Sequence, residues 1–167
     1  MMNRVTQNTV SIALALAGVN VAFAETTSGA AHYEIYPLPQ KAEYQQTSFK
    51  ISSAVNVVFE RGIDKYTKKR VAKILKKSGI EFSSDSKVAP GKTNILVGIN
   101  QSGELVDKYF NKFVAHQEAF FDKNDSHIVS VNNNVIAVLG DDTDSAFYGV
   151  TTLKHVFNQL KDRQISE

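Results

Sequence analysis

The run Asn94-Ile95-Leu96-Val97-Gly98-Ile99 sets the tightest limit on what this chain can fold into. Side chains alternate between the two faces of a strand, and here both faces are apolar. Such a segment is stable as a central strand covered on both sides. Its neighbours supply the rest of a sheet. Ile128-Val129-Ser130-Val131 and Val135-Ile136-Ala137-Val138-Leu139 flank Asn132-Asn133-Asn134. Asparagine tolerates the positive φ that tight hairpin turns require. Val55-Asn56-Val57-Val58-Phe59 is a further strand, and short strands are expected at residues 42–45, 49–52 and 80–82. Tyr33-Glu34-Ile35-Tyr36 is stopped by Pro37-Leu38-Pro39-Gln40, which makes it an extended edge segment rather than a central strand.

Helices cover this sheet. One opens at Gly62 and runs to about residue 77, with Ile63, Tyr66, Val71, Ile74 and Leu75 on one face. Asp64 suits the positive end of its dipole and Lys76 and Lys77 the negative end, and Gly79 stops it. Another spans roughly residues 145–162, where Phe147, Val150, Leu153, Phe157 and Leu160 recur every three or four positions. Burying these five side chains contributes about 7–15 kcal/mol gross. The stripe is therefore core or interface, not a ligand groove. A shorter helix lies within residues 103–112. The expected fold class is α+β: a two-layer sandwich with one mixed, mainly antiparallel sheet and two long helices packed on it.

The N-terminus has a different character. Arg4 is the only charge in the first 24 residues, an apolar run follows over Val10–Gly18, and Ala22-Phe23-Ala24 has the small-x-small cleavage pattern. The run is too short to span a bilayer. Residues 1–24 are thus expected to be a signal peptide cleaved after Ala24, which makes the protein secreted and extracellular. Residues 25–32 form a flexible leader, 33–163 the α/β domain, and 164–167 the truncated start of a linker. Lys and Arg number 19 against 17 Asp and Glu, a balance that gives no global pull towards nucleic acid or anionic membrane. The chain has no cysteine, so packing alone must hold the fold and thiol chemistry is excluded.

Few residues invite a catalytic reading. Asp141-Asp142 is an adjacent carboxylate pair, but consecutive side chains project in different directions. Their strand-to-helix position marks them as helix caps. Gly91-Lys92-Thr93 resembles the end of a phosphate-binding loop, yet Ser86 stands where that loop needs glycine, and a strand follows instead of a helix. His32, His116, His127 and His155 lack metal-ligand spacing, and Ser130 and Ser145 lack a nucleophile-elbow context. No catalytic, cofactor-binding or metal-binding residue is assigned, and no cofactor is expected. Lys65, Lys68, Lys69, Lys73, Lys76 and Lys77 make one helix face strongly basic. That face is either a solvated surface or a contact for a polyanion such as a glycosaminoglycan.

Four stretches carry a family resemblance. They are Tyr33–Gln40; Val55–Phe59 with Gly62-Ile63-Asp64-Lys65-Tyr66-Thr67-Lys68-Lys69-Arg70; Lys92–Asn100; and Asp142-Thr143-Asp144-Ser145-Ala146-Phe147-Tyr148-Gly149-Val150 continuing to Gln159. In this order they resemble the N-terminal domain of glycoside hydrolase family 84, the secreted bacterial hyaluronidases and O-GlcNAcases. That domain type is shared with bacterial β-hexosaminidases. The resemblance implies a non-catalytic domain that precedes a (β/α)₈ barrel. In the family the barrel carries an adjacent aspartate pair and works by substrate-assisted, retaining hydrolysis of N-acetylglucosaminyl bonds. Asp141 and Asp142 lie inside the N-terminal domain, so that pair does not map onto them. The implied role is an accessory scaffold whose partner is the barrel. The alternative is an independent carbohydrate- or glycosaminoglycan-binding module built on the lysine-rich helix.

Overall fold

The computed structural model describes residues 32–114, 121, 123 and 125–167. The signal-peptide segment, residues 25–31 of the leader and His116 lie outside the described residues. In chain order the elements are β1 (Ser48–Lys50), β2 (Ala54–Phe59), α1 (Lys65–Lys77), β3 (Glu81–Ser84) and β4 (Asn94–Ile99). They continue with α2 (Leu105–Phe113), β5 (His127–Asn132), β6 (Val135–Gly140), α3 (Thr143–Gln159) and β7 (Gln164–Ser166).

The main sheet has the order β3-β2-β4-β6-β5, which places β4 at its centre. The α+β class, the mixed sheet and the two long helices on it agree with expectation. Strand direction does not. β2 runs parallel to both β3 and β4, and β4 runs parallel to β6. Only the β5–β6 hairpin is antiparallel within this sheet. The cause is the connections: α1 carries the chain from β2 back to the starting end of β3, residues 85–93 carry it back again to the start of β4, and a strand returned in that way lies parallel.

Alternation divides the strands between two cores. Val55, Val57, Ile95, Val97, Ile136 and Val138 face α1 and α3. Val58, Leu96, Ala137 and Leu139 face the other way, onto Val106 and Phe110 of α2. The two-layer expectation is therefore corrected, because α2 forms a third layer over the centre of the sheet. The double covering of β4 read from its sequence is met by this arrangement.

Local signals act as their chemistry demands. Asn133 and Asn134 both take positive φ, 47° and 63°, and form the two-residue turn between β5 and β6. Gly79 (φ +65°) ends α1. There the amide of Ile80 reaches the carbonyl of Leu75, and that of Gly79 reaches Lys76, the paired bonds of a Schellman stop.

Four expectations change. Tyr66 is 60 % exposed, and its place on the buried face of α1 goes to Thr67. Phe147 leaves the core stripe of α3 and lies under the Arg70 guanidinium, 3.8 Å from ring centre to carbon. No strand forms over residues 42–45. Gln164–Ser166, expected as linker, is β7, paired antiparallel with β1. Ile165 is 0 % exposed, so burial of this one side chain fixes the segment into the domain.

The segment from Tyr33 to Tyr36 lies along α3 without a ladder. The Gln159 amide replaces a neighbouring strand: its oxygen accepts from Glu34 N–H at 2.9 Å, and its nitrogen donates to Glu34 C=O at 2.8 Å. Tyr36 N–H donates to His155 Nδ1 at 3.2 Å.

Candidate functional site

The adjacent aspartates sit where β6 turns into α3. Asp142 is the N-cap: its Oδ1 accepts from Ser145 N–H and from Ser145 Oγ, both at 2.7 Å. These bonds, the backbone one foremost, hold its carboxyl below the usual aspartate range. Asp141 is exposed, and its backbone amide donates to Ser126 C=O. The capping reading holds for Asp142. Ser145 is spent in the same cap.

The phosphate-loop fragment is also occupied. Gly91 takes φ +74° in a turn, and buried Thr93 exchanges bonds with Ser52 through backbone and hydroxyl. The histidines are dispersed. His32 packs against Tyr44 with the rings tilted by 59°, and His155 accepts from Tyr36. His127 is pinned between Asp125 C=O and the Thr152 hydroxyl. Burial lowers the His127 pKa, with the Asp125 carbonyl and charge acting against it. Ser130 meets the Tyr109 hydroxyl. Among the described residues, no three His, Asp or Glu side chains converge in a metal-ligand group.

The buried carboxylates lie elsewhere, at residues that the sequence did not single out. Glu60, just beyond β2, is 4 % exposed. One oxygen accepts from the amides of Val106 and Asp107, the other from Ile99 N–H and Ser102 Oγ at 3.0 Å each. Glu104, the N-cap of α2, makes no capping bond with its side chain. Glu60 therefore caps α2 from another element. Asp107, also buried, accepts from Gln101 N–H and Gly103 N–H at 3.2 and 2.9 Å. Gly98 in β4 makes this possible, since a Cβ there would fall on the Glu60 carboxylate. A glycine inside an otherwise bulky strand is the sequence signal for such a close approach. Both carboxylates are saturated by donors of their own chain, which leaves neither placed to move a proton to a ligand.

The lysines of α1 are all exposed. Lys77 Nζ donates to Asn158 of α3, and Lys65 lies over the Tyr66 ring at 5.1 Å.

Residues 32–167 match the family model described as glycosyl hydrolase family 20, domain 2. The chain belongs to this family. Among solved structures it is similar to CpGH84D, at 46 % identity and a TM-score of 0.79. The match covers 81 % of this chain and 23 % of that one. It is also similar in fold to CpGH84B, at 20 % identity and a TM-score of 0.62, over 81 % of this chain and 22 % of that one. The family-84 type of N-terminal domain expected from the four stretches is thereby met. The chain spans less than a quarter of the length of these relatives.

Proposed function

We propose that this domain is the N-terminal scaffold of a secreted β-N-acetylglucosaminidase, of hyaluronidase or O-GlcNAcase type. One observation carries the reading: a relative 46 % identical over this domain has most of its own length outside the match. The catalytic (β/α)₈ barrel is the partner, and it performs the substrate-assisted, retaining hydrolysis. The domain itself supplies a rigid body for the barrel to rest on. Its buried carboxylates are consumed in holding α2 and the β4–α2 loop, so they contribute stiffness and no chemistry. Export is supported by Arg4, the apolar run after it and Ala22-Phe23-Ala24.

The test is to read the coding sequence that follows codon 167. A barrel domain carrying adjacent aspartates is the expected finding. A reading frame there without barrel sequence would count against the proposal.

A further inference from the structure

The strap from Tyr33 to Pro39 is tied down at its start and bare at its end. Tyr33 and Ile35 pack against the core, and Gln159 and His155 of α3 hold the backbone at Glu34 and Tyr36. Beyond these ties come four apolar residues in a row, Tyr36-Pro37-Leu38-Pro39, with Tyr36 64 % and Leu38 79 % exposed. Such a run is unfavourable in water unless a partner covers it. Its prolines fix φ at their own positions, so little freedom is lost when that happens. Tyr148, 47 % exposed, widens the patch, because it lies two turns before His155 on the α3 face that also carries Gln159. The other large exposed side chains stand apart, with Tyr66 among the lysines of α1, Phe82 on β3 and Phe113 on α2. The lysine-covered face of α1 suits a protein interface poorly, since lysine is depleted there.

The last residues of the chain sit at the root of the same strap. Ser166 N–H donates to the Tyr33 hydroxyl at 3.0 Å. Glu167 N–H donates to Thr47 C=O at 3.0 Å, and Glu167 C=O accepts from Gln45 N–H at 2.6 Å. Five extended residues span at most about 18 Å, so the Leu38 Cα lies no further than that from the Tyr33 Cα. Chain that continues past residue 167 therefore starts beside the patch. CpGH84D has most of its length outside the match, and a domain of a few hundred residues has a radius of gyration of about 20 Å. A body of that size tethered at residue 167 reaches the strap without a long linker.

We propose that Tyr36–Pro39, together with Tyr148, is the seat on which the catalytic domain following residue 167 docks, with apolar side chains of that domain covering Tyr36 and Leu38. The proposal rests on the scaffold reading and adds which face of this domain meets the barrel.

The chain has no cysteine, so Leu38→Cys and Phe82→Cys each place a single thiol in this domain. Both changes are made in the chain of 167 residues and in the protein that continues beyond it. The measurement is the rate of maleimide labelling at each site, read by peptide mass. Leu38→Cys should label about tenfold or more slowly in the longer protein than in the short chain, and Phe82→Cys equally fast in both. Tyr36→Ser with Leu38→Ser should leave the melting of the short chain unchanged, because both side chains are exposed in it. The same pair should lower the melting temperature of the longer protein by about 2 °C or more. Equal labelling of Leu38→Cys in the two proteins, with a barrel present, overturns this proposal and leaves the scaffold reading in place. Slowing of Phe82→Cys as large as that of Leu38→Cys overturns it too, since the shielding would not be confined to the strap. A continuation without barrel sequence removes both readings together.

Discussion

The carboxylate of Glu60 receives the amide of Val106, 46 residues further along the chain, and so caps a helix to which it does not belong. This bond fastens α2 to the end of β2 and closes the second face of the sheet. Glu60→Ala leaves several buried donors without an acceptor, at about 1–3 kcal/mol each. The expected loss is therefore about 3 kcal/mol or more, read as a lower urea midpoint. Glu60→Gln keeps one acceptor oxygen and should fall between the two. Gly98→Ala, which drives a methyl group into that carboxylate, should resemble Glu60→Ala.

Gly149 provides a second close approach, between α3 and β6. A Cβ there would stand 2.5 Å from Val138 Cγ1. Glycine to alanine within a helix ordinarily stabilises by about 1 kcal/mol. Here the clash reverses the sign, and Gly149→Ala should destabilise by about 1–3 kcal/mol. Val138→Ala makes room, so the double variant should be more stable than the sum of the single changes predicts. A double-mutant cycle of melting free energies checks this.

The helix caps predict behaviour in acid. Asp64 and Asp142 are both held below the ordinary value of 3.8, chiefly by the backbone N–H groups of Thr67 and Ser145. A depressed carboxyl stabilises the fold above its unfolded value, and the contribution is lost as pH falls through the folded one. Asp142→Ala should cost about 1 kcal/mol at neutral pH. It should also flatten the acid limb of the stability curve. Asp141→Ala should stay within about 0.5 kcal/mol of the parent.

His127 acts at higher pH. Its ordinary value of 6.5 is lowered by burial. Above that value both states are neutral. Below it the unfolded chain takes the proton first, so stability declines until the folded histidine is protonated as well. Between about pH 7.5 and about pH 5 the urea midpoint of the parent should drop more than that of His127→Gln. An equal drop in both would assign the change to other groups.

Much of the fold was legible from local chemistry. Gly79, the Asn133-Asn134 turn and the Asp142 cap are read from single residues, because positive φ and exposed helix amides demand particular side chains. Strand direction was not legible. Alternation tells which face a residue takes, not which way the chain returns: α1 returns it to β3, the connection over residues 85–93 returns it to β4, and the β5–β6 hairpin turns it into β6. Tyr66 and Phe147 misled because aromatic rings at near-helical spacing look like core. One proves exposed, and the other serves as a platform for Arg70. Glu60 was missed because a charged residue before Arg61-Gly62 reads as a solvated strand end. The signal was in another strand, at Gly98, and became meaningful only once β2 and β4 were neighbours. Ile165 escaped notice for a similar reason, since its burial depends on pairing with Phe49 far away in sequence.

The central claim is that these residues build a support and not a site that cleaves glycosidic bonds. Incubating the pure, folded polypeptide with a chromogenic N-acetylglucosaminide tests it most directly. Release of chromophore no faster than in buffer is the predicted result. Steady release that persists through purification and vanishes in Asp141→Ala or Asp142→Ala would contradict it.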